Sequence, residues 1–570
     1  MALMSGAQML VRTLEDLGVE TLFGYPGGAV LDIYDALLES EKIHHVLGRH
    51  EQGVAHMADG YARSTGKVGC ALVTSGPGAT NTVTSIATAY MDSIPLVVIT
   101  GQVVAPLIGS DAFQEVDTVG ITRPIVKHSY LCKSALDIPK YIRQAFYLAS
   151  TGRPGPVVVD IPKNCVSPSG KFEYPAQGEI KMLSYNPTKF GHKGQVKRAV
   201  KLLSEAKRPV LMLGGGVILG RASARVKELA HKFNLPVTAT LMGLGAYPTD
   251  DKQFIGMLGM HGTLEANEAM DKSDLVIALG VRFDDRVTNN VQKFCPAAKI
   301  IQVDIDPTSI AKTVKVDIPI VGEVDSVLGQ FSDAITEMQL SCDSAAMKLW
   351  WEQIEKWRAR KSLSFKKKPN VIHPATIIET LYKETNGDAI IATDVGQHQM
   401  FTALYYKFKE PRQFLTSGGL GTMGYGFPAA CGAQIGNRDK CVCLVTGDGS
   451  FQMNIQELST CLEYSIPVKI FILDNHTLGM VRQWQTMFYK GRFSSTTLNS
   501  NPDFVELAKA YGHVGMRVTK ESELDSTIKK ALAMKDRLVI VDIACDTDAK
   551  VLPMQQKNGG MSDIFLAEDE

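Results

Sequence analysis

The residues of this chain that could do chemistry together stand first at Gly447-Asp448-Gly449-Ser450 and, one helix later, at Asp474-Asn475. A carboxylate and a carboxamide at neighbouring strand ends can share a divalent cation with a phosphorylated ligand, and the glycines let backbone N–H groups approach phosphate oxygens. Asp448 alone has the wrong sign for a phosphate. Two like charges about 4 Å apart repel by roughly 4 kcal/mol at an effective dielectric near 20, so the carboxylate makes sense with a cation between. Mg²⁺ takes oxygen ligands and shares them with phosphates. An isolated Asp-Gly is an ordinary turn; Asn475 at the next strand end favours the site. The elements that must hold this pair are legible too. Val442-Cys443-Leu444-Val445 reads as a buried strand, Asn454 to Tyr464 as an amphipathic helix and Val468 to Leu473 as the following strand.

A second group lies near the other end of the chain. Arg49-His50-Glu51 opens a helical stretch, Gln52 to Ala62, and Glu51 is the candidate acid or base. A Glu in a first helical turn ordinarily complements the helix dipole. What changes its weight is the company of two glycine-rich strand-to-helix turns, Tyr25-Pro26-Gly27-Gly28 and Ser75-Gly76-Pro77-Gly78, where a planar ligand could approach backbone.

The 570 residues suggest three or four domains, enough for large cores and an enzyme. Sixty basic residues balance sixty acidic ones, so no global field favours nucleic acid or an anionic membrane. Ten scattered cysteines without a Cys-x-x-Cys pair fit a reducing, cytoplasmic setting, with Cys441 and Cys443 on one face of a strand. Apolar runs stop short of the roughly 20 residues that span a bilayer, and Met1 to Leu10 has no signal-peptide pattern. Short β-rich runs alternating with helical stretches predict an α/β fold of three domains, each a mainly parallel sheet flanked by helices. The expected divisions are 1–166, a linker at 167–193, 194–340, a linker at 341–370, 371–550, and a C-terminal tail at 551–570 that is acidic and mobile from Met561 to Glu570.

These motifs carry a resemblance to the thiamine diphosphate enzymes and, within them, to the acetohydroxyacid (acetolactate) synthase catalytic subunits. It extends over nearly the whole chain. Phe23 to Ala29, Thr74 to Asn81 and Gly447-Asp448-Gly449 occur across thiamine enzymes; Asp111 to Glu115, Gly259-Met260-His261-Gly262 and Arg282 to Arg286 point to this synthase. The resemblance implies two thiamine diphosphate-binding domains around a central, Rossmann-like FAD domain. It implies that Glu51 hydrogen-bonds the cofactor's pyrimidine and favours the tautomer that removes the thiazolium C2 proton. Cofactor contacts would come from Tyr25, Pro26, Gly27, Pro77, Asn81 and Gln114 on one side. On the other they would come from Gly396, Gln397, His398, Gly421, Met423, Gly447, Gly449, Ser450 and Met480. Asp448, Asn475 and the Thr477 carbonyl would hold Mg²⁺, with Asp474 where the family has Asn.

For substrate, the resemblance assigns Arg286 to an oxoacid carboxylate, with Asp285 to orient it, and Gly28, Phe113, Lys163 and Trp484 to the funnel. Trp484 matches the residue that favours 2-oxobutyrate. FAD would lie against Gly214, Gly215, Gly216, Met260, His261, Gly262, Arg282, Asp304 and Asp306, with Arg153 from the first domain and Glu323 where the family often has Asp. The implied reaction is decarboxylation of pyruvate and ligation to a second pyruvate or to 2-oxobutyrate, entering branched-chain amino acid synthesis. A homodimer or larger, with sites at the subunit interface, and a small regulatory subunit are further implications. A pyruvate oxidase with the same cofactors is the enzymatic alternative, and a flavin- or nucleotide-binding regulatory protein the non-catalytic one. Gly419-Leu420-Gly421-Thr422-Met423-Gly424 fits G-x-G-x-x-G, but no long strand precedes it, so a nicotinamide site is rejected.

Overall fold

The protein, described here from a computed structural model, is defined over residues 3–569 except 168, 169, 177, 179 and 181, so part of the expected linker at 167–193 lies outside the described residues. Its frame is three six-stranded, wholly parallel sheets. The first holds β1 (Thr21–Tyr25), β2 (His44–Leu47), β3 (Gly69–Val73), β4 (Leu96–Gln102), β5 (His128–Leu131) and β6 (Pro156–Pro162), in the order β2-β1-β3-β4-β6-β5. The second holds β7 (Pro209–Leu213), β8 (Val237–Ala239), β9 (Phe254–Met257), β10 (Leu275–Leu279), β11 (Lys299–Asp304) and β12 (Ile318–Val321), in the order β9-β8-β7-β10-β11-β12. The third holds β13 (Ile390–Thr393), β14 (Phe414–Leu415), β15 (Val442–Gly447), β16 (Lys469–Asp474), β17 (Val514–Val518) and β18 (Val539–Ala544), in the order β14-β13-β15-β16-β18-β17. Central strands such as Leu96–Gln102 and Val442–Gly447 are buried along their whole length, as parallel strands covered on both faces must be.

In each sheet the chain builds first to one side of its first strand and then reverses to the other, and the crevice at that first reversal is where an open parallel sheet takes its ligands. In the first sheet it lies between β1 and β3, in the second between β7 and β10, in the third between β13 and β15. All the glycine-rich turns singled out from the sequence except Gly259–Gly262 and Gly419–Gly424 emerge at these three points.

The first and third domains are joined along the Glu51–Thr65 and Gly426–Gly436 helices. The second helix is apolar on all sides and buried throughout Gly426–Ile435. Glycine makes the contact possible: a Cβ on Gly60 would stand 2.1 Å from the Ala429 carbonyl oxygen, and one on Gly432 would stand 1.9 Å from that of Met57. Beside it, buried Arg63 pairs with Asp59 and Asp92 at 2.6 and 2.9 Å and donates to the Thr416 carbonyl, while the Tyr425 hydroxyl donates to Asp59 at 2.9 Å. A buried guanidinium needs such partners on every side.

Three expectations change. The stretch 341–370 is no bare linker: Ser344–Arg358 is a helix capped by Asp343, and it buries Met347, Trp350 and Ile354 in the core of the second domain. The acidic tail is not loose. Met554–Gln555 pairs with Ile564–Phe565, and Met561 is fully buried in that same core, because apolar residues spaced among the acids have a groove to fill. Finally, the helix expected over Asn454 to Tyr464 is shorter, Glu457–Glu463, and a separate helical turn begins at Asp448 itself.

Candidate active site

At the end of β15 the chain turns directly into Asp448–Phe451, which places the Asp448 carboxylate at a helical N-terminus with only 1% of its surface exposed. One strand over, Asp474 ends β16 and Asn475 follows. The Asn475 side-chain oxygen accepts the Thr477 N–H at 3.0 Å, and His476 between them is left-handed, so the loop folds tightly back on itself. Ligand atoms of Asp448, Asp474 and His476 come within 4.8 Å of one another. The Asn501 amide nitrogen sits among them, donating to Asp448 at 2.7 Å and to Asp474 at 3.4 Å. Burial first, and the Asp474 charge second, push the Asp448 carboxyl up to about 7. A cation would return it to the ionised form. This donor set fits an oxygen-seeking divalent ion.

The same turn fits a phosphorylated ligand. His398, in the Gln397–Tyr405 helix that follows β13, is buried, and its Nε2 has no hydrogen-bond partner. Its ring lies against the Asp448 turn: a Cβ on Gly447 would stand 3.0 Å from Nδ1. Burial drives the imidazole pKa down to about 3 against a hydrogen bond to the Asp394 backbone, so the ring is neutral. Gly449 and Ser450 continue that turn and Gly396 caps the His398 helix. Gln397 sits beside them, but its amide donates to Gln483 at 2.9 Å and to the Ala549 carbonyl at 2.7 Å. Gly421 and Met423 lie in the irregular turn before the Gly426–Gly436 helix, where Gly421 and Gly424 take left-handed conformations. Met480 and Trp484 stand one turn apart on the Gly479–Phe488 helix, both half-buried.

Glu51 is the first residue of its helix, after His50, whose Nδ1 accepts the Gln52 N–H at 3.1 Å. Its carboxylate accepts the Asn81 amide at 2.9 Å. Thr74, at the end of β3, fills the space between Gly27 and Gly78: a Cβ on either would come within 2.7 Å of its side chain, and its hydroxyl is buried without a partner. Gln114, left-handed at φ 60°, brings its backbone against Gly76. Thus 25–28, 76–81 and 111–115 gather around Glu51. Tyr25, Pro26, Gly28 and Pro77 are exposed, Phe113 is 88% exposed, and Lys163, just after β6, is exposed as well.

A cavity of about 520 Å³ opens at the reversal point of the second sheet, between β7 and β10. Gly214, Gly215, Gly216, Arg282, Asp304 and Glu323 line it, and the first domain adds Ser93 and Arg153. A Cβ on Gly216 would fall 2.6 Å from the Gly280 Cα, so two strand-end turns touch through backbone. Arg153 donates to Ser93 at 2.8 Å and pairs with Asp306 at 3.1 Å. Burial raises Asp304 to about 6. Met260, His261 and Gly262, also assigned to FAD, are not among the residues that line this cavity. The Met260 carbonyl accepts the Gln555 N–H at 2.8 Å and the His261 ring is 3.3 Å from the Pro553 carbonyl. The Met260 sulfur is 3.8 Å from Arg286, whose guanidinium is 3.7 Å from Asp285, both side chains facing solvent.

Sequence reasoning missed Asn501, and it missed His476 as a neighbour of Asp448. His476 was findable, one residue past Asn475 at a strand end. Asn501 was not, because only the fold of the 490–501 loop back along Thr477 brings it there.

Fold and site together define a class: the chain belongs to the thiamine pyrophosphate enzyme family. Its models match as the N-terminal TPP binding domain over residues 4–121, the central domain over 196–331 and the C-terminal TPP binding domain over 394–543. Whole-chain similarity narrows this. The chain is 56% identical over 567 residues to the acetolactate synthase large subunit of Haemophilus influenzae, covering 100% of this chain and 99% of the relative. It is 54% identical to the acetolactate synthase isozyme 3 large subunit of Escherichia coli, with 100% of both covered. To the Corynebacterium glutamicum acetolactate synthase large subunit it is 47% identical, covering 99% of this chain and 90% of the relative. It is thus an enzyme of the acetolactate synthase large-subunit family, with thiamine diphosphate as cofactor, and the oxidase alternative is not favoured. Among the described residues no helix is long and apolar enough to cross a membrane.

Proposed function

We propose that the chain decarboxylates pyruvate and joins the two-carbon unit to a second pyruvate or to 2-oxobutyrate, using thiamine diphosphate with Mg²⁺ and retaining FAD in the middle domain. Thiamine diphosphate supplies the carbon nucleophile and the electron sink for loss of CO₂. The observation that carries the reading is the pair of complementary half-sites at matching crevices: Glu51 held by Asn81 at one, and buried Asp448 beside the unpartnered His398 Nε2 at the other. Glu51 then holds a proton at the pyrimidine nitrogen, since a carboxylate there stabilises the protonated ring. Asp448, Asn475 and the Thr477 carbonyl would hold Mg²⁺, and His398 would contact the diphosphate. Arg286 takes the oxoacid carboxylate through its planar fork. Phe113, Met480 and Trp484 form the apolar wall against which an acceptor with one more methylene gains roughly 1–3 kcal/mol. The residues lining the 520 Å³ cavity would hold FAD, with the Gly214–Gly216 turn suited to a pyrophosphate and Asp304 to ribose hydroxyls.

The exposure of Tyr25, Phe113 and Pro77 around Glu51 supports completion of each site by a second copy of the chain, so that Glu51 of one subunit serves the metal turn of its partner. A small regulatory subunit follows from the large-subunit naming of the relatives. The domain divisions 1–166, 194–340 and 371–550 each enclose one sheet, and the setting is cytoplasmic.

The test is to supply pyruvate alone, then with 2-oxobutyrate, with and without Mg²⁺ and FAD, and to identify the products. Acetolactate and then 2-aceto-2-hydroxybutyrate are expected. Bleaching of the flavin at the rate of turnover, without a carboligation product, would overturn the reading. Mixed Glu51→Gln and Asp448→Ala chains should regain activity in hybrid dimers; inactive hybrids, once shown to form, remove the shared site.

A further inference from the structure

The helix Glu457–Glu463 leaves the metal turn and runs across to the first domain, where it meets the strand-to-helix turn just ahead of Glu51. Glu457 is fully buried. Both its carboxylate oxygens lie 3.2 Å from the Arg49 amide nitrogen, and the Thr460 hydroxyl donates to it at 2.7 Å. Glycine makes room on the helix side: a Cβ on Gly53 would stand 2.4 Å from one carboxylate oxygen. The same helix grips the turn two residues earlier, through the Leu47 N–H donating to the Tyr464 hydroxyl at 2.9 Å.

We propose that Glu457 is a positioning residue for Glu51: the third domain supplies a carboxylate that clamps the opening turn of the Glu51–Thr65 helix and so sets the direction in which the Glu51 side chain leaves it. The inference rests on the reading of Glu51 as the group that acts on the cofactor. Docking of the helix does not require this contact, because Gly60 and Gly432 with the Arg63 ion pairs already join the two domains further along. What the clamp adds is at the first turn. Helix N-termini leave backbone N–H groups without intrahelical partners, and a carboxylate on the N–H just before the helix favours one orientation of that turn. A small misplacement of a group acting on a bound ligand can lower its rate by about 100-fold.

The test uses the full chain loaded with thiamine diphosphate and Mg²⁺, and reads hydrogen–deuterium exchange at the thiazolium C2 of the bound cofactor beside steady-state kinetics. In Glu457→Gln, kcat and the exchange rate should fall together by about 10–100-fold, while KM for pyruvate and cofactor affinity move less than about threefold. The double variant with Glu51→Gln should be no slower than Glu51→Gln alone, as expected for residues acting through one another. Exchange at the wild-type rate in Glu457→Gln, or losses that multiply in the double variant, would overturn the proposal. Should Glu457→Gln not fold, Gly53→Ala presses on the same carboxylate from the helix side and must show the same loss of exchange. Wild-type exchange in Glu51→Gln itself would instead remove the underlying reading of Glu51.

Discussion

The first and third sheets share one strand order, 2-1-3-4-6-5 counted within each, whereas the middle sheet runs 3-2-1-4-5-6. One scaffold therefore occurs twice, with its crevice at corresponding turns, yet the two crevices manage charge in opposite ways. Glu51 is half-buried at a helix N-terminus with the Asn81 amide against it, and such a carboxylate is comfortable without any further ion. Asp448 is buried next to a second carboxylate, with the neutral Asn501 amide donating to it. The lesson is that topology locates a ligand crevice, and the burial of one side chain decides how the charge in that crevice must be met. The middle sheet, with its reversal between β7 and β10, has the order associated with dinucleotides, and its cavity opens there.

The sharpest way to break the contrast is at its two carboxylates. Glu51→Gln should lower kcat by about 10²–10⁴-fold, the range for a positioned proton-handling group, with cofactor affinity nearly kept. Steady-state kinetics beside calorimetric titration of thiamine diphosphate separates the two. Asp448→Asn should do the reverse, weakening Mg²⁺-dependent cofactor binding by about 100-fold, because a charged ligand is lost at the metal; titration at several Mg²⁺ concentrations reads it. Gly432→Ala should destabilise the protein by at least about 1–3 kcal/mol, since its Cβ meets backbone that cannot swing aside, and the melting temperature measures it. Arg153→Ala should weaken FAD about tenfold and leave thiamine diphosphate binding alone, as flavin fluorescence titration would show.

The smallest effect concerns pH. Asp448 has its folded pKa raised from 3.8 to about 7 in the metal-free protein, so between those values the folded state keeps a proton that the unfolded chain has released. Stability from this group is then lost as pH rises through that window, and the loss is complete above it. Metal-free Asp448→Asn should accordingly melt a few degrees above the wild type near neutral pH, with the difference closing toward about pH 4. A difference that widened toward acid would contradict the burial of this carboxyl.

Much of this architecture was readable along the chain. Strands such as Leu275–Leu279 and Val442–Gly447 are short apolar runs ended by Gly or Asp, a pattern that needs only neighbouring residues to be seen. Asp448, Asn475 and Glu51 were visible as polar groups at such ends. The helix at Ser344–Arg358 was obscured because its buried face, Met347, Trp350 and Ile354, is narrow and set among charges. Met561 was hidden for the same reason, a lone apolar residue in a polar tail whose groove belongs to another part of the chain.

The sequence by itself determined the three α/β units, the turns at their strand ends and the residue types those turns carry, because side-chain periodicity and glycine placement act over a few residues. Only the tertiary structure decided which distant groups meet. Asn501 reaches Asp448, Glu457 reaches the Arg49 amide, and the Gly214–Gly216 turn shares its cavity with Arg153 from the first domain. The physical reason is that such contacts depend on how whole elements pack, through glycine contacts such as Gly60 on Ala429 and buried ion pairs such as Arg63 with Asp92, and no local pattern encodes the partner of a packed surface.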